Sequence, residues 1–184
     1  SAMRPGSGCN QSTLLCLSHN QLDVSNVQIC VTCAPGSNQV NGVAGTTTFP
    51  ALISLVKSMD GWVTTLQTSG ERSVVPATLL AGAVLFPTFI PSTDICVAAG
   101  NSNLYGLNYQ TGSAMPVPIF GVDAGGQSLK QIAIGEGLAS QVAVQLSGDG
   151  AKGFLQTSDS VLHQIGLNGL NSKSKYVSWV SQRD

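Results

Sequence analysis

The chain has 184 residues, of which only 9% are charged, with 8 Lys plus Arg against 9 Asp plus Glu. This length allows one domain with a proper hydrophobic core. The small charge gives little long-range field, which argues against nucleic acid or an anionic membrane surface as a partner. With 42% hydrophobic residues and 21 Gly, the composition favours short strands joined by glycine turns, as in secreted or surface β-proteins.

The start of the chain, SAMRPGSG, lacks the basic residues and apolar run of a signal peptide and is typical of what tag cleavage leaves behind. We therefore expect a fragment of a larger protein. The longest apolar stretches are interrupted by proline and glycine and are shorter than the ~20 residues of a membrane helix. We expect this fragment to be soluble.

Residues 1–45 are rich in Cys, Asn, Gln and Ser, and they hold four of the five cysteines. An odd number leaves at least one cysteine free or paired outside the chain. In an oxidising compartment, structural disulfides are the favoured interpretation. Zinc binding, redox catalysis by the C-x-x-C pair and free thiols stay open as alternatives. The disulfide candidates are Cys9, Cys16, Cys30, Cys33 and Cys96.

One helix is predicted, at about residues 48–58. Apolar residues recur there at i, i+3, i+4 and i+7 between Phe49 and Val56. Thr47 or Thr48 can cap the first turn of this helix.

From Gly61 onward the sequence predicts β-strands. Short segments rich in β-branched and aromatic residues are separated by Gly, Asn, Ser or Asp. These segments are GWVTTL, SVVPATLLA, AVLFPTFI, NLYGLNY, VPIF, LKQIAI, LASQVAVQL, KGFLQTS, VLHQIGL and YVSWV.

Two passages of the chain resemble each other. ERSVVPATLLAGAVLFPTF followed by SNLYGLNYQTG parallels GLASQVAVQLSGDGAKGFLQT followed by DSVLHQIGLNG. Each passage predicts a strand, a glycine turn, a second strand, and a third strand that ends at a glycine in the left-handed backbone conformation. Such repeats fit the blades of a β-propeller. We predict a mainly β fold with one short helix and roughly three propeller-like antiparallel blades of four strands each.

A partial ring of this kind leaves strand edges with unpaired N–H and C=O groups. We expect the helix, the Cys-rich portion, neighbouring blades or another molecule to cover them. The chain is predicted to form one domain over residues 1–184, with a Cys-rich portion at 1–45 and a propeller-like β region at 46–184.

The segment DGWVTTLQTSGERSVVPATLLAGAVLFPTFIPSTDICVAAGNSNLYGLNYQTG resembles the C-terminal β-propeller region of PilC/PilY-type type IV pilus proteins. That family pairs a GW…L…GER stretch with F-x-T-x-IP-x-x-D-x-C and LY-x-L-x-Y-x-TG. The later GLASQVAVQ…GFLQTSDSVLHQI…KSKYVSWVSQR is similar to the end of the same family. The resemblance covers about residues 45–184, whereas the first 45 residues match no pattern that we can place.

The resemblance implies a secreted bacterial protein that stands at or near the pilus tip, on the cell surface. It implies roles in pilus assembly and surface adhesion, with minor pilins, other pilus proteins and the rest of the parent chain as partners. Family members often carry a calcium loop of the D-x-[DN]-x-[DN]-G type. This sequence has no such loop, and Asp60, Asp123 and Asp149 each supply one carboxylate, so we expect turns at these positions.

Other polar and aromatic residues are interpreted as structural. His19 and His163 are far apart in sequence and are expected to be surface or satisfied core histidines. Trp62 and Trp179 are expected to pack between blades or across a sheet edge, with a carbohydrate or surface contact as the alternative.

The GLNYQTG turn is similar to the docking turn of quinoprotein propellers, which follows the pattern D-x-x-TG-x-x-x-W. Here Asn108 replaces the acid, and Met115 and Pro116 follow where tryptophan is usual. The similarity implies architecture only and no quinone site.

The sequence therefore predicts a non-catalytic extracellular module of a type IV pilus assembly and tip-adhesin protein that acts through protein–protein contacts. We expect no catalytic residue, no cofactor, no metal site and no small-molecule substrate. The alternative is a calcium-regulated or quinoprotein-like propeller enzyme domain.

Overall fold

The computed structural model describes residues 20–34, 37–92, 100–147 and 150–170. These residues form eleven strands and one helix. No helix among them is long and apolar enough to cross a membrane. The strands are β1 (Gln21–Asp23), β2 (Gln28–Ala34), β3 (Ser37–Asn41), β4 (Gly61–Val63), β5 (Thr78–Leu80), β6 (Ala83–Pro91), β7 (Gly100–Asn108), β8 (Gln131–Glu136), β9 (Ala143–Ser147), β10 (Gly150–Gln156) and β11 (Leu162–Leu167), and the helix is α1 (Phe49–Lys57).

The helix α1 begins and ends within one residue of its predicted limits. Thr48 has an extended backbone, and its side-chain oxygen accepts a hydrogen bond from the backbone N–H of Ala51, which caps the first turn. Ser58 ends the helix, and its backbone N–H donates to the carbonyl oxygen of Ser54. The apolar face of the helix is buried.

The helix packs with β1 to β4 around a small hydrophobic core. β2 and β3 form an antiparallel hairpin, and β1 pairs with β4 in parallel. This core spans both sides of the predicted boundary between residues 45 and 46. Its buried members are Val24, Val27, Ile29, Val40, Phe49, Leu52, Val56 and Ala114.

The first large sheet is a four-stranded antiparallel meander in the order β5-β6-β7-β8. Its longest ladder runs from Ala83 opposite Asn108 to Pro91 opposite Gly100. The β5–β6 hairpin turns through Ala81 and Gly82, which both have positive φ angles, as a tight hairpin turn of this hand requires.

The second sheet has three antiparallel strands in the order β9-β10-β11. One hydrophobic core joins it to the first large sheet, because Leu85 and Leu104 of the first sheet belong to the same buried cluster as Leu155 and Leu167 of the second. Burial of this apolar surface is the main favourable term for holding the two sheets together.

The predicted mainly β fold is confirmed, and the described residues contain one helix, as predicted. The two similar passages of sequence form β5-β6-β7 and β9-β10-β11, as the repeat predicts. Within the described ranges the sheets close into neither a barrel nor a propeller ring, and the number of blades stays a prediction.

The prediction of a strand at VPIF was wrong. Pro116 and Pro118 have no backbone N–H to give to a ladder. The chain instead forms a turn in which the N–H of Gly121 donates to the carbonyl oxygen of Pro118.

Candidate functional site

The carboxylate of Glu71, in the GER motif, is the centre of a side-chain network that joins a loop to two strands. Its Oε1 accepts hydrogen bonds from Thr88 Oγ1 at 2.5 Å and from Asn103 Nδ2 at 3.1 Å. Its Oε2 accepts from the backbone N–H of Thr68 at 3.0 Å and from Tyr105 Oη at 3.3 Å. The carboxylate therefore fastens the loop before β5 onto β6 and β7.

Burial raises the pKa of Glu71, but the hydrogen bonds that its carboxylate accepts outweigh this effect and hold the pKa below its usual value. Four hydrogen-bond donors occupy the oxygens of this carboxylate, which therefore has a structural role. This argues against a role for Glu71 as a general base, which needs a lone pair directed at substrate.

Tyr105 connects this network to the sheet. Its ring stacks on Phe86 of the neighbouring strand, with ring centres 5.2 Å apart. Its hydroxyl accepts a hydrogen bond from the backbone N–H of Gln67 and donates to Glu71. Burial, together with the nearby Glu71 carboxylate, raises the pKa of Tyr105 to about 12.

The turn after β7 is where Trp62 docks. Asn108 Oδ1 accepts hydrogen bonds from the backbone N–H groups of Gln110 and Thr111, which fixes the turn. Gly112 follows with φ 64°, and the Trp62 ring covers it so closely that a Cβ there would overlap the indole. Trp62 Nε1 also donates to the carbonyl oxygen of Tyr109 at 3.0 Å. Trp62 thus packs against the end of the first large sheet. This agrees with its predicted packing at a sheet edge.

The turn after β11 repeats this arrangement in simpler form. Gly169 has φ 68°, and a Cβ on it would overlap the side chain of Val117. In both repeats, therefore, a left-handed glycine after the third strand receives an apolar side chain from a preceding segment. The docking partner in the second repeat is Val117, where the first repeat uses Trp62.

The two large sheets differ in how their third strands are covered. In the first sheet, β8 pairs with the outer side of β7. In the second sheet, β11 pairs only with β10 among the described residues. Leu162 on β11 is 68% exposed, and Leu146 on β9, at the opposite edge, is 43% exposed. Among the described residues, the second sheet therefore has one unpaired edge at β9 and another at β11.

Cys30 and Cys33, two of the five disulfide candidates, form a disulfide within β2. Cys9, Cys16 and Cys96 lie outside the described residues. The Cys30 sulfur lies 3.6 Å from the carbonyl oxygen of Gly126.

Sequence reasoning missed the contact that joins the β1–β2 turn to the first large sheet. Lys130 Nζ donates to the carbonyl oxygen of Ser25 at 2.5 Å. Burial lowers the pKa of Lys130, while the charge of Asp23 opposes that shift. Asp23 in turn accepts hydrogen bonds from the N–H and the hydroxyl of Ser25, which lower its pKa. No local sequence pattern links residues so far apart.

A second missed cluster surrounds Thr157 in the β10–β11 hairpin. Thr157 Oγ1 donates to Asp159 Oδ1 at 2.5 Å and lies 3.2 Å from His163 Nε2. The Thr157 hydrogen bond lowers the pKa of Asp159. Thr157 is buried and its hydroxyl is engaged by the turn, so the cluster has the geometry of a structural turn rather than of an exposed nucleophile.

The acidic turn at Asp123 takes the form that the sequence predicts. Asp123 Oδ1 accepts hydrogen bonds from the N–H groups of Gly125 and Gln127. Asp60 Oδ2 accepts one from the N–H of Asn20. Over residues 20–34, 37–92, 100–147 and 150–170, no three His, Cys, Asp or Glu side chains are grouped for metal binding. His19, Asp149, Trp179 and YVSWV lie outside these ranges.

Comparison with known proteins gives no family: no protein-family model, no curated protein and no solved structure matches this chain.

Proposed function

We propose that the chain is a non-catalytic extracellular module of a type IV pilus assembly and tip-adhesin protein, and that its sheets are propeller-like blades. The resemblance of the GER, IPSTDIC and YQTG motifs to PilC/PilY-type proteins supports the identity of the machinery. The proposed location is the cell surface of a bacterium, and the proposed partners are minor pilins, other pilus proteins and the rest of the parent chain.

Two features support the blade architecture. The order β5-β6-β7-β8 is that of a four-stranded propeller blade. The Trp62 ring on the Gly112 turn is the kind of contact by which one blade docks on the next.

The observation that carries the binding role is the difference between β7 and β11. The first repeat has a fourth strand beside its third strand, and the second repeat has none in the described residues. A strand edge of this kind offers main-chain N–H and C=O groups to an extended segment of another polypeptide. We therefore assign the partner-binding surface to the outer edge of β11.

The test uses purified minor pilins, immobilised one at a time, with the chain as analyte. A lysine at a strand-addition interface weakens pairing, because its charge must be buried or displaced. We expect Leu162→Lys on β11 to weaken binding about 10-fold or more. Leu146→Lys on β9 is the matched control, since it places the same charge at the other edge, and it should bind like the unsubstituted chain.

Four outcomes would contradict the proposal. Binding that is lost with Leu146→Lys and kept with Leu162→Lys would move the surface to β9. Absence of binding to every pilus protein would remove the proposed partners. Turnover of esterase, glycosidase or quinone substrates would favour an enzyme, and micromolar calcium binding by calorimetry would favour the calcium-regulated alternative.

A further inference from the structure

The disulfide between Cys30 and Cys33 lies inside one strand, where a regular backbone would not permit it. Residues three apart in an extended strand have Cα atoms about 10 Å apart. Here the Cα atoms of Cys30 and Cys33 are 5.6 Å apart. The β2–β3 register shifts between Cys30 and Ala34, which shortens this part of the strand.

The two cysteines differ in their exposure to solvent. Cys30 is 0% exposed, and the segment at residues 125–128 covers it. Two backbone hydrogen bonds hold that cover in place: Val31 N–H donates to Gly126 O at 2.9 Å, and Ser128 N–H donates to Ile29 O at 2.8 Å. Cys33, by contrast, is an exposed residue of the same strand.

We propose that Cys33 is a thiol-modification site that reacts with small-molecule thiols while the protein stays folded. Thiol–disulfide exchange requires a thiolate to approach one sulfur in line with the bond that breaks, so access decides which sulfur is attacked. A solvent thiolate reaches Cys33 and not Cys30.

The exchange is balanced as follows. The thiolate RS⁻ forms a new S–S bond to Cys33, the bond between Cys33 and Cys30 breaks, and Cys30 leaves with the electron pair and takes a proton from water. A second thiolate then attacks the R-group sulfur of the mixed disulfide. This step releases RSSR and the Cys33 thiolate, so two small thiols are oxidised and one protein disulfide is reduced.

The buried site suits the Cys30 thiol that this reaction produces. Its sulfur lies 3.6 Å from Gly126 O and 3.9 Å from Gly125 O, within reach of a weak S–H hydrogen bond to either carbonyl. The backbone bonds between β2 and residues 126–128 do not involve the sulfur atoms. The modified protein therefore keeps its fold, with the adduct on Cys33 in solvent.

The experiment treats the folded full chain with glutathione, quenches it with acid and maps the adduct by peptide mass spectrometry. We expect the adduct on Cys33 in about 20-fold excess over Cys30, because only Cys33 is accessible. Peptides containing Cys9, Cys16 and Cys96 are mapped in the same spectra, which separates their reactions from that of the pair. A mixed disulfide mainly on Cys30, or exchange no faster than global unfolding, would overturn the proposal.

Two matched variants, each with one free thiol in place of the disulfide, test the same difference in accessibility. With an alkylating reagent under native conditions, Cys33 in Cys30→Ser should react about 100-fold faster than Cys30 in Cys33→Ser. In denaturant the two rates should become equal, which normalises the comparison. Equal native rates in two folded variants would refute the asymmetry. If either variant fails to fold, the glutathione adduct of the unsubstituted chain decides alone.

Discussion

The carboxylate of Glu71 accepts four hydrogen bonds, from its own loop and from two strands, so its substitution is a sharp test at the scale of single residues. Glu71→Gln keeps the size of the side chain but replaces one acceptor oxygen with an amide that faces donors. We expect the free energy of unfolding to fall by about 1 to 2 kcal/mol, measured by chemical denaturation. Glu136→Gln, at an exposed position on β8, is the control and should change stability little.

The Glu71 carboxylate also predicts how the stability of the protein changes at acid pH. Hydrogen bonds hold the pKa of Glu71 below its usual value of 4.5 in the folded state. The stability that they contribute is fully present above the unfolded-state pKa and is lost as the pH falls through the folded-state pKa. Between pH 5 and pH 3 the unsubstituted chain should therefore lose more stability than Glu71→Gln. Parallel pH profiles for the two proteins would contradict this role.

Tyr105 predicts how the stability of the protein changes at alkaline pH. Its pKa is raised from 10.0 to about 12 in the folded state, so the folded protein favours the neutral phenol. The resulting stability is complete below pH 10 and is lost as the pH rises towards 12. An ultraviolet titration should show one tyrosine that ionises at about pH 12. In Tyr105→Phe this late ionisation should disappear, whereas Tyr109→Phe should retain it.

At the scale of elements, the turns after the third strands determine how one sheet meets its neighbour. Gly112→Ala should be costly for two reasons, namely the positive φ angle and the overlap of the new Cβ with Trp62. We expect a loss of about 2 to 5 kcal/mol in the free energy of unfolding. The tryptophan fluorescence should also shift to longer wavelength as Trp62 is displaced.

The control for this prediction is Gly121→Ala. Gly121 also has a positive φ angle, 93°, but a Cβ there would have no neighbour within 4 Å. Gly121→Ala should lower the free energy of unfolding by about 1 kcal/mol, which is the contribution of the backbone strain alone. Equal losses for the two variants would show that the Trp62 contact adds nothing to the stability of the turn.

The elements that sequence reasoning predicted are those whose causes are local. The cap at Thr48 and the apolar face that follows it define α1, and the glycine turn at Gly82 defines the β5–β6 hairpin. The Glu71 network was not predictable in this way, because Thr88, Asn103 and Tyr105 lie 17, 32 and 34 positions away. Their convergence depends on the register of β6 and β7, which no spacing in the sequence encodes.

At the scale of the whole molecule, the resemblance between the two repeats extends to the strand order and to the left-handed glycines. Within the part of the chain that the structure describes, it stops at the fourth strand, which the first repeat has and the second lacks. In the first repeat, the partly buried Ile132 and Ile134 of β8 pack against the shared core. The alternation of these isoleucines with more polar residues is a period-two pattern that the sequence does show. The sequence does not show that β7 pairs with β8 on its outer side whereas β11 has no outer strand in the described ranges, because this depends on the path of the chain between the sheets.

The last prediction concerns whether the two large sheets unfold together. Leu155 on β10 is buried in the same cluster as Leu85 on β6 and Leu104 on β7. Leu155→Ala should lower the free energy of unfolding by about 3 kcal/mol, and a shared core transmits that loss to both sheets. Hydrogen exchange should therefore become faster in β6 and β7 as well as in β10.

Leu52→Ala, in the separate core around α1, distinguishes a shared core from general weakening. It should speed exchange mainly in β2, β3 and α1 if that core is the less stable unit. If Leu155→Ala affected only β9 to β11, each sheet would be an independent unit, and the mixed cluster of Leu85, Leu104, Leu155 and Leu167 would not couple them. Faster hydrogen exchange in both sheets would instead mean that they form one cooperative unit. Because binding to the folded state raises the stability of the whole cooperative unit, a strand added beside β11 would then stabilise the first large sheet as well.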